Sequence, residues 1–165
     1  NETLTDVFNP DGRFGGGWYR RYKLNMKTGA LKSEQVTDTE CEFPTFNTAY
    51  AGAKNEVTYT ACSVDNGANS FFNGISRVTR EGGAEVVALP PGFYGSEPIF
   101  VPKTNAVKED DGYLMEVVYN GFEHKSELQI YRADNLRDQV CALKLKHHLP
   151  HQFHGFYTPE VFSTT

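Results

Sequence analysis

The sequence predicts an all-β chain that forms part of a β-propeller, and three observations carry that prediction. Strand signals dominate, as in Val57-Thr58-Tyr59-Thr60-Ala61-Cys62 and Tyr113-Leu114-Met115-Glu116-Val117-Val118-Tyr119, which are β-branched and aromatic runs closed by Asn66-Gly67 and Asn120-Gly121. No segment keeps an apolar stripe at i, i+3, i+4, i+7 for three turns, so long amphipathic helices are excluded. A hairpin pattern also recurs, its alternation starting at Tyr22, Ile75 and Leu128, 53 residues apart each time. A period near 50 residues with about four strands per unit is that of a propeller blade. A two-sheet sandwich spaces its strands as closely, but gives no reason for the same hairpin to return at a fixed interval.

The elements follow in order. Residues 1–17 read as a flexible lead-in; its "GRFGGGW" (12–18) lacks the Gly-Lys-Ser/Thr ending of a phosphate loop. The first hairpin turns at Lys27-Thr28-Gly29 and leads to "CEFPTFN" (41–47), with a short helical turn expected within Thr45–Ala51. A strand begins at Val57, and the second hairpin turns at Glu81-Gly82-Gly83. "SEPIFVPK" (96–103) follows, then the acidic turn "KEDDG" (108–112), which lacks the spaced oxygen ligands of a calcium loop. A strand from Gly112 repeats the one from Val57, 55 residues later. The third hairpin turns at Ala133-Asp134-Asn135, and "HQFHGFY" (151–157) precedes a tail over 158–165. Residues 1–165 are thus one unit of about two full blades plus strands of neighbouring blades. Propellers close with about four to eight blades, so the expectation is a piece of a longer protein that needs the rest of its ring.

Composition narrows the function. With 39% hydrophobic and 13% aromatic residues the chain folds around a core. A net charge of −5 without a Lys/Arg cluster argues against a nucleic-acid partner. No run of about 18 apolar residues is present to span a membrane as a helix, and Asn1-Glu2-Thr3 does not open a secretory leader. Three cysteines without a C-x-x-C pair read as reduced packing thiols of a cytoplasmic protein rather than a zinc site. Cys62 has no neighbouring base and no G-x-S-x-G occurs, so nucleophilic catalysis has no support.

Between each hairpin and the following strand lies one apolar segment, and each holds a polar residue at the same phase: Glu42, Glu97 and His154, separated by 55 and 57 residues. Stacked repeats bring equivalent positions side by side, so the three are expected to converge near a common hub, one from each innermost strand. Singly, each glutamate reads as a solvated or ion-paired residue and the histidine as a core residue with one hydrogen bond. Together they have the chemistry of a metal ligand whose second ring nitrogen is held by a carboxylate. Gly155 lets other groups approach His154 closely. His147, His148 and His151 stand around Pro150, so no helix aligns them; they read as a solvated loop, and His124 as an exposed turn residue.

"CEFPTFN", "GSEPIFVPKTNAVKEDDGYLMEVVYN", "SELQIYRADNL" and "LPHQFHGFY", in this order, resemble the C-terminal third of the carotenoid cleavage oxygenase family, which includes apocarotenoid oxygenases, lignostilbene dioxygenases and the retinal pigment epithelium isomerase. The likeness runs from about Tyr22 to Tyr157. It implies a seven-bladed propeller with a non-haem Fe(II) on its axis, bound by four histidines with glutamates behind them. His154 matches the last of those histidines, and Glu42 and Glu97 match two of the glutamates. The three remaining histidines belong to earlier blades and have no counterpart here; His124, His147, His148 and His151 do not stand in those motifs.

The activity so implied is cleavage of a conjugated C=C bond by O₂ to two carbonyl products, with a carotenoid, apocarotenoid or stilbene-type substrate. These residues alone, with one imidazole, are expected to be inactive. Phe46, Phe156 and Tyr157 are candidates for lining an apolar substrate tunnel, whereas Phe43 and Phe100 read as packing between blades. Contact with a membrane surface stays open, through regions outside these residues. The alternatives are a non-catalytic propeller binding module and a truncated structural remnant.

Overall fold

In a computed structural model, residues 17–65 and 71–161 are described. The lead-in up to residue 16, the turn at Asn66-Gly67 and the last four residues of the tail lie outside them. Ten strands form: β1 (Trp18–Leu24), β2 (Leu31–Thr45), β3 (Val57–Ser63), β4 (Gly74–Thr79), β5 (Ala84–Ala88), β6 (Phe93–Gly95), β7 (Ile99–Pro102), β8 (Gly112–Asn120), β9 (Lys125–Arg132) and β10 (Asn135–Lys144). The only helical piece among the described residues is one 3-10 turn, Thr48–Tyr50, within the predicted Thr45–Ala51. Asn47 caps it by accepting from the Ala49 amide at 3.1 Å.

The strands make two antiparallel sheets, β1-β2-β3-β4-β5 and β10-β9-β8-β6, with β7 also paired to β8. All three predicted hairpins are present, as β1–β2, β4–β5 and β9–β10. β3 and β8 begin at Val57 and Gly112, as the repeat required. One boundary differs from expectation: β2 runs unbroken from the first hairpin into the next unit. Its Leu31–Gln35 stretch pairs with β1, while Glu40–Thr45 pairs mostly with β3.

The innermost strand of each unit is interrupted at its proline. In β2 the pairing slips between Glu42↔Ala61 and Thr45↔Tyr59, across Phe43-Pro44. In the second unit β6 ends at Gly95 and β7 resumes at Ile99, leaving Ser96-Glu97-Pro98 between them. Proline has no N–H to give a ladder, so both breaks sit where the sequence withholds a donor. Phe43 takes a left-handed φ of 53° there, a costly conformation for an aromatic residue.

The sheets stack face to face. Their core joins Val57, Tyr59 and Ile75 to Phe100, Leu114, Tyr131, Ala133 and Leu136. Phe100 stacks on Tyr59 with centroids 5.7 Å apart, which places it in packing as expected. The Tyr59 hydroxyl donates to the Ala133 carbonyl at 3.0 Å, tying the sheets by a buried polar bond. Burial, with a smaller push from the Asp110 and Glu109 charges, raises the Tyr59 phenol far above its usual range against the opposing pull of Arg77, so it stays a donor.

The acidic turn 108–112 latches one unit to the next. Glu109 accepts from the Glu56 and Val57 amides at 2.9 Å each and from Asn55 Nδ2 at 2.6 Å. Asp110 pairs with Arg77 at 2.6 Å, across the same interface, and Asp111 with Lys103 at 2.9 Å within its own turn. All three acids have protein partners.

The expectation of an innermost strand at 151–157 is corrected: this segment is irregular throughout. A strand needs a ladder partner for its N–H and C=O groups, and no described residue pairs with it. It lies instead over the outer face of the second sheet, near Ile99, Met115, Val117 and Leu128.

Candidate metal-ligand site

Glu97 projects from the break between β6 and β7, and His154 from the irregular C-terminal segment. The two meet, with His154 Nδ1 3.1 Å from Glu97 Oε1. The adjacent Gly155 amide donates to Glu97 Oε2 at 2.7 Å. One carboxylate thereby fixes both the ring and the backbone of a segment that has no strand pairing. A carboxylate only accepts, so Nδ1 carries a proton, and in the neutral ring that leaves the lone pair on Nε2. The Glu97 side chain is 17% exposed and that of His154 76%, so the anchor is enclosed and the ring stands open.

Glu42 is exposed and makes no hydrogen bond to His154; its Oε1 lies against Gly17, where a β-carbon would approach it to 3.0 Å. Of the three in-phase side chains, Glu97 and His154 are in direct contact. The link from the Glu42 strand to the site is its neighbour Phe43, whose ring stands edge-on to His154 at 5.8 Å and to Phe153 at 6.4 Å. Phe43 packs as expected, and its partner includes the site histidine.

Phe156 and Tyr157 help line a cavity of about 100 Å³, together with Met115, Val117, Leu128 and His154. Phe46 is half-buried and is not among its walls. His147 and His148 are exposed, as expected of a loop. His151 departs from that expectation. It counts as exposed over the whole residue, yet its ring stacks on Phe71 at 4.4 Å and meets Tyr119 edge-on at 6.0 Å, and this cover lowers its pKa. His124 sits in an exposed turn at φ 51°, its Nδ1 2.9 Å from the Tyr119 hydroxyl.

His154 fits a metal ligand: its Nε2 is free, its tautomer is set and its ring is accessible. It fits as one member of a set, since no group of three or more His, Cys, Asp or Glu is placed to hold a metal among the described residues.

One residue was not singled out from the sequence. Glu116 on β8 is only 1% exposed, and neither of its carboxylate oxygens has a hydrogen-bond partner. Burial raises its pKa far above the usual carboxylate range, with the Ser96 backbone amide, short of strict hydrogen-bond geometry, opposing that only in part. The signal was legible, because Glu116 stands in phase with Leu114 and Val118 on the inward face of the strand.

Comparison with known proteins places these features in a family. The pattern described as "Retinal pigment epithelial membrane protein" matches residues 5–159. Apocarotenoid-15,15'-oxygenase of Synechocystis is 33% identical over 138 residues, covering 82% of this chain and 28% of that protein. Carotenoid 9,10(9',10')-cleavage dioxygenase of Crocus sativus is 31% identical over 153 residues, covering 84% and 28%.

Among solved structures, cobalt-substituted Synechocystis apocarotenoid oxygenase superposes with a TM-score of 0.80 at 28% identity, over 84% of this chain and 29% of that one. A chimera of ACO and RPE65 superposes with a TM-score of 0.82 at 28% identity, over 87% and 30%. The chain thus spans under a third of the length of these relatives. Face-to-face sheets alone suit a sandwich as well as adjacent blades; the superpositions decide for propeller blades. The chain belongs to the retinal pigment epithelial membrane protein family, that of the carotenoid cleavage oxygenases.

Proposed function

We propose that these residues are the C-terminal blades of a non-haem Fe(II)-dependent dioxygenase that cleaves a conjugated C=C bond of a carotenoid or apocarotenoid with O₂. The observation that carries the reading is the double hold of Glu97 on His154 Nδ1 and on the Gly155 amide. A histidine needed only for packing has no use for a fixed tautomer with its other nitrogen turned outward. The names of the relatives, carotenoid and apocarotenoid oxygenases, support the substrate class.

His154 would hold the metal through Nε2, completed by three histidines from other blades. The chemistry an Fe(II) ion supplies there is activation of O₂ for oxidative cleavage of the polyene to two carbonyl products. Neutral imidazole ligands leave the ion's charge uncompensated, and Glu97 one bond further out offsets part of it while raising the basicity of the ring. Phe43 and Phe153 pack beside His154, with ring centroids 5.8 and 6.4 Å from its own. Phe156, 82% exposed, and Tyr157 lie beside it and suit a long apolar substrate.

The rest of the ring is the expected partner. The outer face of the second sheet, with Tyr113, Met115 and Val117 half-buried, is the surface a neighbouring blade would cover. A binding module without catalysis would leave Glu97 and His154 unrelated in space, and their contact favours the oxygenase. The test is the complete protein, purified and assayed for iron and for cleavage of an apocarotenoid under O₂. Stoichiometric iron with carbonyl products is expected; a folded protein with neither would overturn the reading.

A further inference from the structure

Glu116 stands opposite an unusual gap. On β8, Leu114, Glu116 and Val118 face the first sheet, whereas Met115 and Val117 face the cavity beside His154. Glu116 is therefore not among the walls of that cavity. Its carboxyl group is turned toward β6 instead: a β-carbon at Gly95 would overlap Glu116 Oε1. The Ser96 amide is the backbone group that acts on it. Gly95 and Glu116 are complementary, since one has given up its side chain where the other puts its carboxyl. Gly95 and Ser96 lead directly into Glu97.

We propose that Glu116 is a positioning residue for the His154 site: its carboxyl group, wedged under the Gly95–Ser96 backbone, sets the break between β6 and β7 from which Glu97 reaches His154 and Gly155. The inference rests on the reading of Glu97 as the carboxylate behind a metal-binding histidine.

An apolar residue at 116 would continue the Leu114 and Val118 pattern, without the cost of burying a carboxyl group with no partner. The charged and titratable groups facing Glu116 are Cys62 from β3 and, from β9, Glu127 and Tyr131, which share its face through the pairs Val118↔Glu127 and Leu114↔Tyr131. None is a cation. The side chain across from it, Gln129, is already engaged with Glu127 and Tyr131. In this setting burial without a cation favours the neutral acid, and ionisation would drive its carboxyl away from the pocket under Gly95.

The experiment compares Glu116→Leu and Glu116→Gln with the wild type in the complete protein. Exchange of the Gly155 amide reports the Glu97 contact directly. In Glu116→Leu, Gly155 is expected to exchange about tenfold faster, the scale of one hydrogen bond, while amides of β8 and β9 are unchanged. Iron affinity should fall about tenfold, as for other groups that orient metal ligands. Glu116→Gln, which keeps the shape without the charge, should restore both.

Wild-type rates for Gly155 in Glu116→Leu, or a rise shared equally by the β8 and β9 amides, would overturn the proposal. If Glu116→Leu does not fold, the pH series decides. After correction for intrinsic exchange, wild-type protection of Gly155 should decline with rising pH while Glu116→Gln stays flat; identical profiles would overturn it. A wild type that binds no iron would defeat the oxygenase reading, while Gly155 exchange would still test Glu116.

Discussion

Glu97 and His154 lie 57 residues apart and meet at 3.1 Å, and that contact orders a segment with no sheet pairing of its own. The irregular run 149–157 is tied down by Glu97 at Gly155 and by the Ser126 hydroxyl, which accepts from the Leu149 amide at 2.9 Å. The position of the exposed ring thus depends on side chains of the neighbouring unit rather than on a ladder.

Substitution should separate ligand from support. His154→Ala is expected to abolish iron retention in the complete protein. Glu97→Gln should weaken it by roughly 10–100-fold, because the amide can still accept from Nδ1 but brings no charge. Iron content after dialysis against a graded chelator checks both, and wild-type retention in either would remove the assignment.

The latch at Glu109 should be a matter of stability. Glu109→Ala strands the Glu56 and Val57 amides and Asn55 Nδ2. A loss of about 2–3 kcal/mol is expected, the usual scale for hydrogen bonds to a charged group left unmade. Denaturant unfolding measures it, and a change below about 0.5 kcal/mol, typical of surface substitutions, would contradict it.

Tyr59→Phe removes the bond to the Ala133 carbonyl while keeping the stack on Phe100. The expected cost is about 1 kcal/mol. Tyr59→Ala removes the ring as well and should cost about 3–5 kcal/mol. Thermal melts of the two variants side by side would expose a failure of this ordering.

Stability should respond to pH in two opposite ways. Asp111 beside Lys103, and Asp134 beside Arg132, have pKa values held below the usual range. Their contribution is present above the unfolded carboxylate pKa and is lost as pH falls through their folded values; Asp134 is exposed and Asp111 only half-buried, so it is small. Glu116 acts the other way, because burial raises its pKa. Its folded form is favoured most below the unfolded carboxylate pKa, and stability declines as pH rises from there toward its folded value. The stability gap between Glu116→Gln and the wild type should therefore widen from acid to neutral pH, measured as the difference in denaturation midpoints. A gap independent of pH would show that Glu116 is ionised in the folded protein.

The sequence by itself determined the all-β class, the three hairpins and the segments that carry Glu97 and His154, because strand alternation, turn residues and a repeated interval are written locally. The inner ladders break beside Pro44 and Pro98, which have no N–H to give. Only the tertiary structure decided which of the three in-phase side chains meet. Phase assigns a residue to a face, but a 3 Å contact depends on how two elements settle against each other. That is why Glu97 reached His154 while Glu42 came to rest beside Gly17. It likewise turned 151–157 into an irregular strap, since a strand exists only where another strand completes its hydrogen bonds. And it buried Glu116 against Gly95, a fact of sheet-on-sheet packing that no single strand could record.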